Sequence, residues 1–403
     1  MSFQQGLSGL NAAAKNLDVI GNNVANSGTV GFKQSQAQFA DVYANSLTGA
    51  GGANVGIGTK VAQVSQQFTQ GNITATNNPL DMAINGGGFF RMDTNGEVTY
   101  QRNGQFQLDR LGFIVNPTGA KLTGYTANAS GVLSTGAPSP LSINTADLVP
   151  QVTSTVNAVL NLDSRGAVPA NAFDMTDPTT FNNSTAVSVY DSLGNAHTLQ
   201  TYYVKTAAST WEVHASLDGG AAFSPVPSTM SFDSSGALIA GSPMTIPAQT
   251  LTTGAAPLGF PIDFTGTTQF GSAFSVNTLN QDGYTSGRLA GFSIGADGMV
   301  LGRYTNGQSA VLGQVVLANF ANPNGLQPLG NNMWAETSTS GNPLVGVPSS
   351  GSLGVLQSSA VEDSNVDLTA ELVNLITAQR VYQANAQTIK AQDAVMQTLV
   401  NLR

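Results

Sequence analysis

The amino-acid sequence predicts a mixed, mostly β fold. N- and C-terminal α-helices pair as a coiled-coil-like domain, and two nested antiparallel β domains of sandwich or barrel type lie between them. Three observations support this prediction: apolar residues recur at helical spacing at both ends, the middle alternates with a period of two, and turn residues divide the middle into short segments. At 403 residues the chain is long enough for two or three domains.

The opening segment has the pattern of an amphipathic helix. Ser2 and Gln5 have the spacing of an N-terminal capping box. The apolar residues that follow recur at alternating steps of three and four, which places them on one face of a helix. These residues are Leu7, Leu10, Ala14, Leu17, Gly21 and Val24.

The closing segment repeats this design. Ser364 and Asp367 have the spacing of a helix start, and no Gly or Pro occurs between Asp367 and Arg403. Good helix formers such as Ala, Gln, Leu and Glu dominate this stretch. Its apolar residues follow a heptad: Leu368, Leu372, Leu375, Tyr382, Ala386, Ile389, Met396 and Val400.

Between the two ends the pattern is that of β-hairpins. Segments 89–92 and 97–100 flank one turn, and segments 186–190 and 197–205 flank another. Further hairpins are predicted around 234–236 and 296–298. The Gly-rich run 48–58 is interpreted as a flexible connection.

We divide the chain into a terminal helical domain, a link and two β domains. Residues 1–33 and 359–403 form the helical polymerisation domain, and residues 34–75 form the link. Residues 76–145 and 284–358 make an inner β domain. Residues 146–283, which are richer in Ser, Thr, Ala and Pro, make an inserted outer domain.

Composition argues against several functional classes. Only 9% of residues are charged, and the 14 basic residues are scattered among 23 acidic ones, so no nucleic-acid partner is expected. No apolar run reaches the ~18 residues that span a bilayer, so membrane insertion is not expected. The N-terminus lacks a basic leader, and we expect no cleaved signal peptide. The absence of cysteine rules out disulfides and thiol chemistry.

Apparent active-site motifs lack the context that their chemistry requires. Ser293 lies in a Gly-x-Ser-x-Gly pattern, but a hairpin and no histidine follow it. Segment 93–96 resembles the start of a calcium-binding loop, but it is better interpreted as a β-turn. Glycines 86–88 lack the Lys of a phosphate loop. His197 and His214 are interpreted as surface or half-buried structural residues, so we predict no catalytic, cofactor or metal site and no enzyme.

The two apolar helix faces need a partner, because most helix stability in proteins comes from burial. We expect them to pack against each other, while a cover role over the β domains stays open. The side chains predicted to drive assembly are Leu7, Leu10, Leu17, Ile20, Val24, Leu368, Leu372, Leu375, Tyr382, Ile389, Met396 and Leu399.

Several segments resemble the signatures of bacterial flagellar rod and hook proteins. The first is 20–33, in which the signature positions are Asn22, Asn23, Ala25, Asn26, Gly31, Phe32 and Lys33. Segments 80–90 and 102–106 are similar to two further landmarks. Segment 364–389 resembles the C-terminal motif. The chain length favours the hook branch over the shorter distal-rod paralogues.

The resemblance implies a structural subunit that self-assembles into a curved tubular joint and transmits torque. It implies export through the flagellar type III apparatus to an extracellular site on the basal body, with no cofactor. The implied partners are further copies of the chain, the distal rod protein, the hook cap protein and the hook-filament junction protein. The alternatives are a distal-rod or junction paralogue, or a secreted β-rich carbohydrate-binding protein or hydrolase.

Overall fold

The computed structural model describes residues 2–42, 56–128, 131–223 and 228–401. The chain forms two compact units. Unit 1 comprises Met1–Asn144, Gly291–Arg303 and Ser309–Arg403, and unit 2 comprises Thr145–Ala290 and Tyr304–Gln308. Both chain ends therefore belong to unit 1, and unit 2 is an insertion.

Two long helices stand at the ends of the described chain, α1 (Ser2–Ala25) and α2 (Leu368–Asn401). The strands before residue 144 are β1 (Ser35–Val42), β2 (Gly58–Gln66), β3 (Ile73–Ala75), β4 (Met82–Asn85), β5 (Phe89–Thr94), β6 (Glu97–Gln101), β7 (Gln107–Leu108), β8 (Ile114–Val115), β9 (Lys121–Thr126) and β10 (Ser139–Pro140).

The next strands, in unit 2, are β11 (Val156–Asp163), β12 (Asn183–Tyr190), β13 (Ala196–Ala207), β14 (Thr210–Leu217), β15 (Ser228–Phe232), β16 (Leu238–Ala240), β17 (Met244–Gln249), β18 (Leu258–Asp263), β19 (Thr268–Phe270) and β20 (Ser275–Gln281). The last are β21 (Leu289–Ile294), β22 (Met299–Tyr304), β23 (Ser309–Val315), β24 (Leu317–Asn319), β25 (Gln327–Gly330), β26 (Met333–Ala335), β27 (Leu344–Gly346), β28 (Val355–Ser358) and β29 (Ala360–Glu362).

The two helix starts differ. Asp367 caps α2, because its Oδ1 accepts hydrogen bonds from the backbone N–H groups of Thr369 and Ala370 at 2.9 and 3.1 Å. The predicted capping box of α1 is wrong. Ser2 already lies in the helix, and the Gln5 amide instead donates to the Gly56 carbonyl oxygen at 2.6 Å.

The β part of unit 1 is built on a large sheet and an aromatic core. Among the described residues this sheet has 13 strands, and its main path runs β21-β22-β23-β9-β5-β6-β26-β25. The predicted 89–100 hairpin is confirmed as β5 and β6, with Asn95 at φ 55° in the turn. Phe89 packs edge-to-face against Phe320 and Trp334 with centroids 5.9 and 5.7 Å apart.

Unit 2 is a two-sheet structure with a shared core. One sheet runs β12-β13-β14-β15-β16, and the other runs β17-β18-β11-β19 with β20 on β11. Residues from both sheets, among them Leu160, Tyr203, Trp211 and Phe260, form one buried cluster. The predicted 186–205 hairpin is confirmed as β12 and β13.

One prediction for the β regions is wrong in detail. We expected antiparallel pairing throughout, but β11 pairs in parallel with β18 and β19. Residues 164–257 separate β11 from β18. This length is sufficient for the crossover connection that parallel strands require.

The predicted link 34–75 contains regular structure. β1 and β2 form an antiparallel hairpin and β3 pairs with β29. Of the predicted flexible run 48–58, residues 48–55 lie outside the described part of the chain.

The apparent active-site motifs have local structure of other kinds. Ser293 lies in β21 and strand β22 follows it. Segment 93–96 is a β-turn, in which the Gly96 N–H donates to Asp93 Oδ1 at 3.1 Å. His214 is half-buried as expected, but the expectation for His197 is wrong, since it is buried between two carboxylates.

Candidate assembly surfaces at the terminal helices

The two terminal helices pack against each other in antiparallel orientation. The start of α1 lies beside the far part of α2, where a Cβ atom added to Gly6 would come within 3.1 Å of Ile389 Cγ1. At the opposite end, Asn23 of α1 donates to Glu371 of α2 at 3.5 Å. The predicted pairing of the chain ends is therefore present in a single molecule.

The contact surface of α1 includes several small residues. Gly6, Ala13 and Ile20 are buried at intervals of seven, and the buried Asn23 follows three residues later. A Cβ atom added to Gly9 would lie 2.8 Å from Asn385 Oδ1. On α2 the buried and half-buried side chains among those described follow a matching row: Glu371, Leu375, Ala378, Asn385, Ala386, Ile389 and Gln392. We call this contact the seam.

The seam does not use the apolar stripe that the sequence suggests for α1. Glycine contributes nothing to a hydrophobic pattern, so the pattern does not reveal the seam face. The leucines of the pattern lie about one position along the helix from the seam residues. Of the predicted assembly residues, Ile20 is buried, and Leu10, Leu17, Val24, Leu375 and Ile389 are half-buried. Leu7, Leu368, Leu372, Tyr382 and Met396 are exposed, and the side chain of Leu399 lies outside the described part.

The first two turns of α2 carry an exposed apolar surface, which we call the α2 patch. It consists of Leu368, Leu372, Val373 and Ile376, whose exposed fractions are 45%, 45%, 59% and 51%. Leu368, Leu372 and Ile376 are four residues apart and so form one row on the helix. Further along, Val395 and Met396 are also exposed. Contiguous exposed apolar side chains of this kind mark interaction surfaces.

A buried ion pair fixes the junction from which both helices emerge. Lys33 follows α1, Glu362 ends β29 ahead of α2, and both side chains are fully buried. Lys33 Nζ donates to Glu362 Oε1 at 2.6 Å and to the Thr69 carbonyl oxygen at 2.7 Å. The Gly71 N–H donates to the same carboxylate oxygen at 2.9 Å.

Arg102 completes this buried cluster from the β region. Its Nη1 lies 3.6 Å from Glu362 Oε2, and its Nη2 donates to the Gly86 carbonyl oxygen at 2.6 Å. Burial lowers the pKa of Lys33, and the neighbouring Glu362 opposes that shift. Burial likewise lowers the pKa of Arg102. Two cations share one carboxylate here, so removing Glu362 leaves both without their counter-charge.

Asparagine side chains tie α1, β1 and α2 together. Asn23 Nδ2 donates to the Ser35 carbonyl oxygen at 2.8 Å, and its Oδ1 accepts from the Ser35 N–H at 2.9 Å. Asn365 Oδ1 accepts from the Gln34 N–H at 2.7 Å. Gln34 Nε2 then donates to Glu371 Oε1 at 2.7 Å. These bonds set where each helix begins and ends relative to the hairpin.

The remaining signature residues shape the turn that follows α1. The Asn26 side chain donates to the Asn22 carbonyl oxygen at 3.0 Å, and Phe32 is buried. Gly31 has φ +72°, and a Cβ atom there would lie 2.5 Å from the Asn103 backbone nitrogen. Glycine is required at such a position. Ala25 is exposed at the end of α1.

A groove of about 660 Å³ lies between α1, β1 and α2. Its wall includes Ala13 and Ile20 from α1, Phe39 from β1, and Ala378 and Val381 from α2. The exposed Phe39 and Val381 extend the apolar surface of the helical domain beyond the α2 patch.

Sequence reasoning missed the central members of this site. Glu362, Arg102 and Glu371 are charged residues that are buried, in a chain where only 9% of residues are charged. Gly6 and Gly9 were missed because they add nothing to hydrophobicity. The heptad spacing of small residues was the signal that could have found them.

No described helix is long and apolar enough to cross a membrane. Within the same residues, no group of three or more His, Asp or Glu side chains is placed to hold a metal ion.

The two terminal helices pack together, and the β strands of both units lie between them in the sequence. Four family models match along the chain. They are the flagella basal body rod protein over residues 3–33, the flagellar hook protein FlgE/F/G D1 domain over 83–168, the flagellar basal body protein FlaE D2 domain over 161–284, and the flagellar basal body rod FlgEFG protein C-terminal region over 357–402.

Full-length relatives agree with these matches. The chain is 46% identical to the flagellar hook protein FlgE of Salmonella typhimurium and 44% identical to that of Escherichia coli, with 100% of each chain covered. The crystal structure of Helicobacter pylori flagellar hook protein FlgE2 has a TM-score of 0.55 at 16% identity, covers 70% of this chain and 99% of its own, and shows the same fold. The chain belongs to the flagellar hook protein FlgE family, a family of structural proteins.

We predict that Glu362→Ala destabilises unit 1 by about 3–5 kcal/mol, because Lys33 and Arg102 are then buried without their counter-charge. Urea unfolding followed by circular dichroism measures this. Asp18→Ala is the control, since it removes an exposed pair with Lys15 at 3.3 Å and should have little effect. Equal effects of the two substitutions would contradict the role of the buried cluster.

We predict that Gly9→Leu disrupts the seam at a cost of about 1–3 kcal/mol, because the new side chain collides with Asn385. Gly21→Ala is the matched control in the same helix. A Cβ atom at Gly21 meets nothing within 4 Å, so this change should stabilise α1 by roughly 1 kcal/mol. Thermal melting of the helical signal distinguishes them, and a stabilising Gly9→Leu would exclude a close helix contact there.

Proposed function

We propose that the chain polymerises through its terminal helical domain. The seam joins α1 and α2 within one molecule, and the α2 patch, together with the groove between the helices and β1, packs against neighbouring copies. As a member of the hook family, the chain is a structural subunit of the bacterial flagellar hook, a curved tubular joint that transmits torque from the rod to the filament.

The exposed apolar surface of α2 is the observation that supports this proposal. The helix already has an intramolecular partner, yet its first two turns leave four large apolar side chains in solvent. Burial of such side chains contributes roughly 25 cal/mol per Å² of apolar area. An extended polymer of many copies gives each patch a neighbour.

The low charge of the surface suits a joint that bends. Copies on the inside of a curve must approach while copies on the outside separate, so their contacts have to slide. Strong ion pairs between copies would resist this, whereas a chain with 9% charged residues presents mainly uncharged polar groups.

Attachment at the two ends of the hook requires further partners. We propose the distal rod protein at the base, the hook cap protein during growth and the hook-filament junction protein at the far end. We further propose export through the flagellar type III apparatus without a cleaved signal peptide. The absence of cysteine is compatible with passage as an unfolded chain.

We predict that Leu372→Glu raises the critical concentration for polymerisation at least about tenfold, because it puts a charge into the proposed contact. The monomer should still fold, since Leu372 is 45% exposed and an acidic residue near a helix start is favourable. Gln383→Glu is the control, because it adds the same charge to an exposed position without removing an apolar side chain. Sedimentation and electron microscopy measure the polymer, and identical critical concentrations would exclude the α2 patch as a contact.

We predict that helix content rises when monomers polymerise. After Ala378 no described side chain of α2 is buried, so this half of the helix is marginal in one molecule. Circular dichroism of monomer and polymer at equal concentration tests this, and equal helix content would contradict it. A chain ending at Asp367 is the companion variant, and filaments formed by it would refute the role of α2.

A further inference from the structure

Unit 2 contains a buried histidine between two carboxylates. His197, at the start of β13, is only 7% exposed. Its Nδ1 lies 2.6 Å from Asp218 Oδ2, and its Nε2 lies 3.3 Å from Asp191 Oδ2. Carboxylate oxygens at these positions accept hydrogen bonds, so both ring nitrogens must donate. Only the protonated imidazolium has two N–H donors.

Among the described residues, the charged groups that act on His197 are Asp218 and Asp191. Asp191 comes from the turn between β12 and β13, and Asp218 follows β14. The loop 250–257 contributes the Thr253 hydroxyl, which donates to Asp191 Oδ2 at 3.0 Å, and this loop holds no ionisable residue. Lys205, further along β13, donates instead to the carbonyl oxygens of Ser164 and Gly166.

Asp191 organises the turn that His197 holds. Its Oδ1 accepts from the backbone N–H groups of Leu193 and Asn195, each at 2.9 Å. Its Oδ2 accepts from the Asn195 amide at 2.9 Å as well as from Thr253 and His197. The side chain therefore joins the turn to β13 and to the loop 250–257.

This turn rests on the segments by which the chain enters and leaves unit 2. Those segments pair with each other, with the Leu148 N–H bonded to the Gly287 carbonyl oxygen at 2.8 Å. A Cβ atom added to Gly194 would lie 2.8 Å from Pro150 Cβ and 3.4 Å from the Ser286 nitrogen. The turn thus packs directly on both segments.

We propose that His197 is a proton-operated clasp for this end of unit 2. When protonated it holds the 191–195 turn against β13 and stabilises the paired entry and exit segments. Loss of the proton leaves a ring lone pair facing a carboxylate. The longer contact, to Asp191, then opens first, and the turn loosens against Pro150 and Ser286.

The direction of the pH response follows from the contacts. Burial by itself lowers the pKa of His197, but Asp218 and Asp191 outweigh it, and the pKa is raised above its ordinary value. The stabilisation is therefore complete below about pH 6.5 and is lost as pH rises through the raised pKa. Burial lowers the pKa of His214 below its ordinary value. The contribution of His214 to stability is therefore lost as pH falls below about 6.5, in the opposite sense to that of His197.

Two measurements on the full-length monomer test the clasp. In an NMR titration of the imidazole carbons, His197 should titrate above about 6.5 and His214 below it. Hydrogen exchange of segments 191–199 and 284–287, corrected for intrinsic pH dependence, should increase several-fold between pH 6 and pH 9. Titration of His197 at or below its ordinary value would overturn the proposal.

Two variants distinguish the loss of the His197 clasp from a general loss of stability. His197→Gln should remove the pH step in exchange at both segments. Asp233→Asn is the matched control, because Asp233 makes the same type of turn, accepting from Ser235 and Ala237 at 2.8 and 2.9 Å without a histidine. The Asp233→Asn variant should keep the pH step in hydrogen exchange. A pH step that survives in the His197→Gln variant would overturn the proposal.

Asp191→Asn covers the case in which His197→Gln does not fold. The asparagine oxygen can still accept from Leu193 and Asn195, so the turn is retained while the charge is lost. The pKa of His197 should then fall, and the exchange step should move to lower pH with it. A step that stays in place would overturn the proposal.

Discussion

The buried ion pair between Lys33 and Glu362 is the constraint on which the placement of the two terminal helices depends. These residues are 329 positions apart in the chain, and bringing such distant segments together costs loop-closure entropy that strong contacts must offset. A buried charge is costly without its counter-charge, so we expect the pair also to fix the register of these two segments. Because the pair lies just beyond α1 and just ahead of α2, it determines where the two helices meet.

The terminal helices have two kinds of surface, one for packing within the molecule and one that stays exposed. Small residues at Gly6, Gly9 and Ala13 allow α1 and α2 to approach closely within one molecule. Large apolar residues in the α2 patch stay in solvent and are available to other copies. If leucines had filled the seam, the helical domain would be more self-contained and would have less surface left for assembly.

Much of the architecture could be predicted from periodicity. Helix spacing located α1 and α2, and turn residues located hairpins such as β5–β6 and β12–β13, because these signals are local. The face used by α1 could not be read in this way, since a hydrophobic pattern gives weight to Leu7 and none to Gly6. The parallel pairing of β11 and the burial of Glu362 depend on contacts between distant segments, which no local pattern records. The burial of His197 depends on how the adjacent turn and strand fold over it, which the spacing of residues does not show.

The central claim is that the exposed apolar surface of the helical domain becomes buried between copies on assembly. The absence of cysteine makes a direct test available, because Ile376→Cys carries a single thiol whose reaction with maleimide can be followed in monomer and polymer. The account predicts a reaction at least about tenfold slower in the polymer, with Leu111→Cys, an exposed site in the β part of unit 1, as the comparison. Unchanged reactivity at position 376 in well-formed polymer would contradict it.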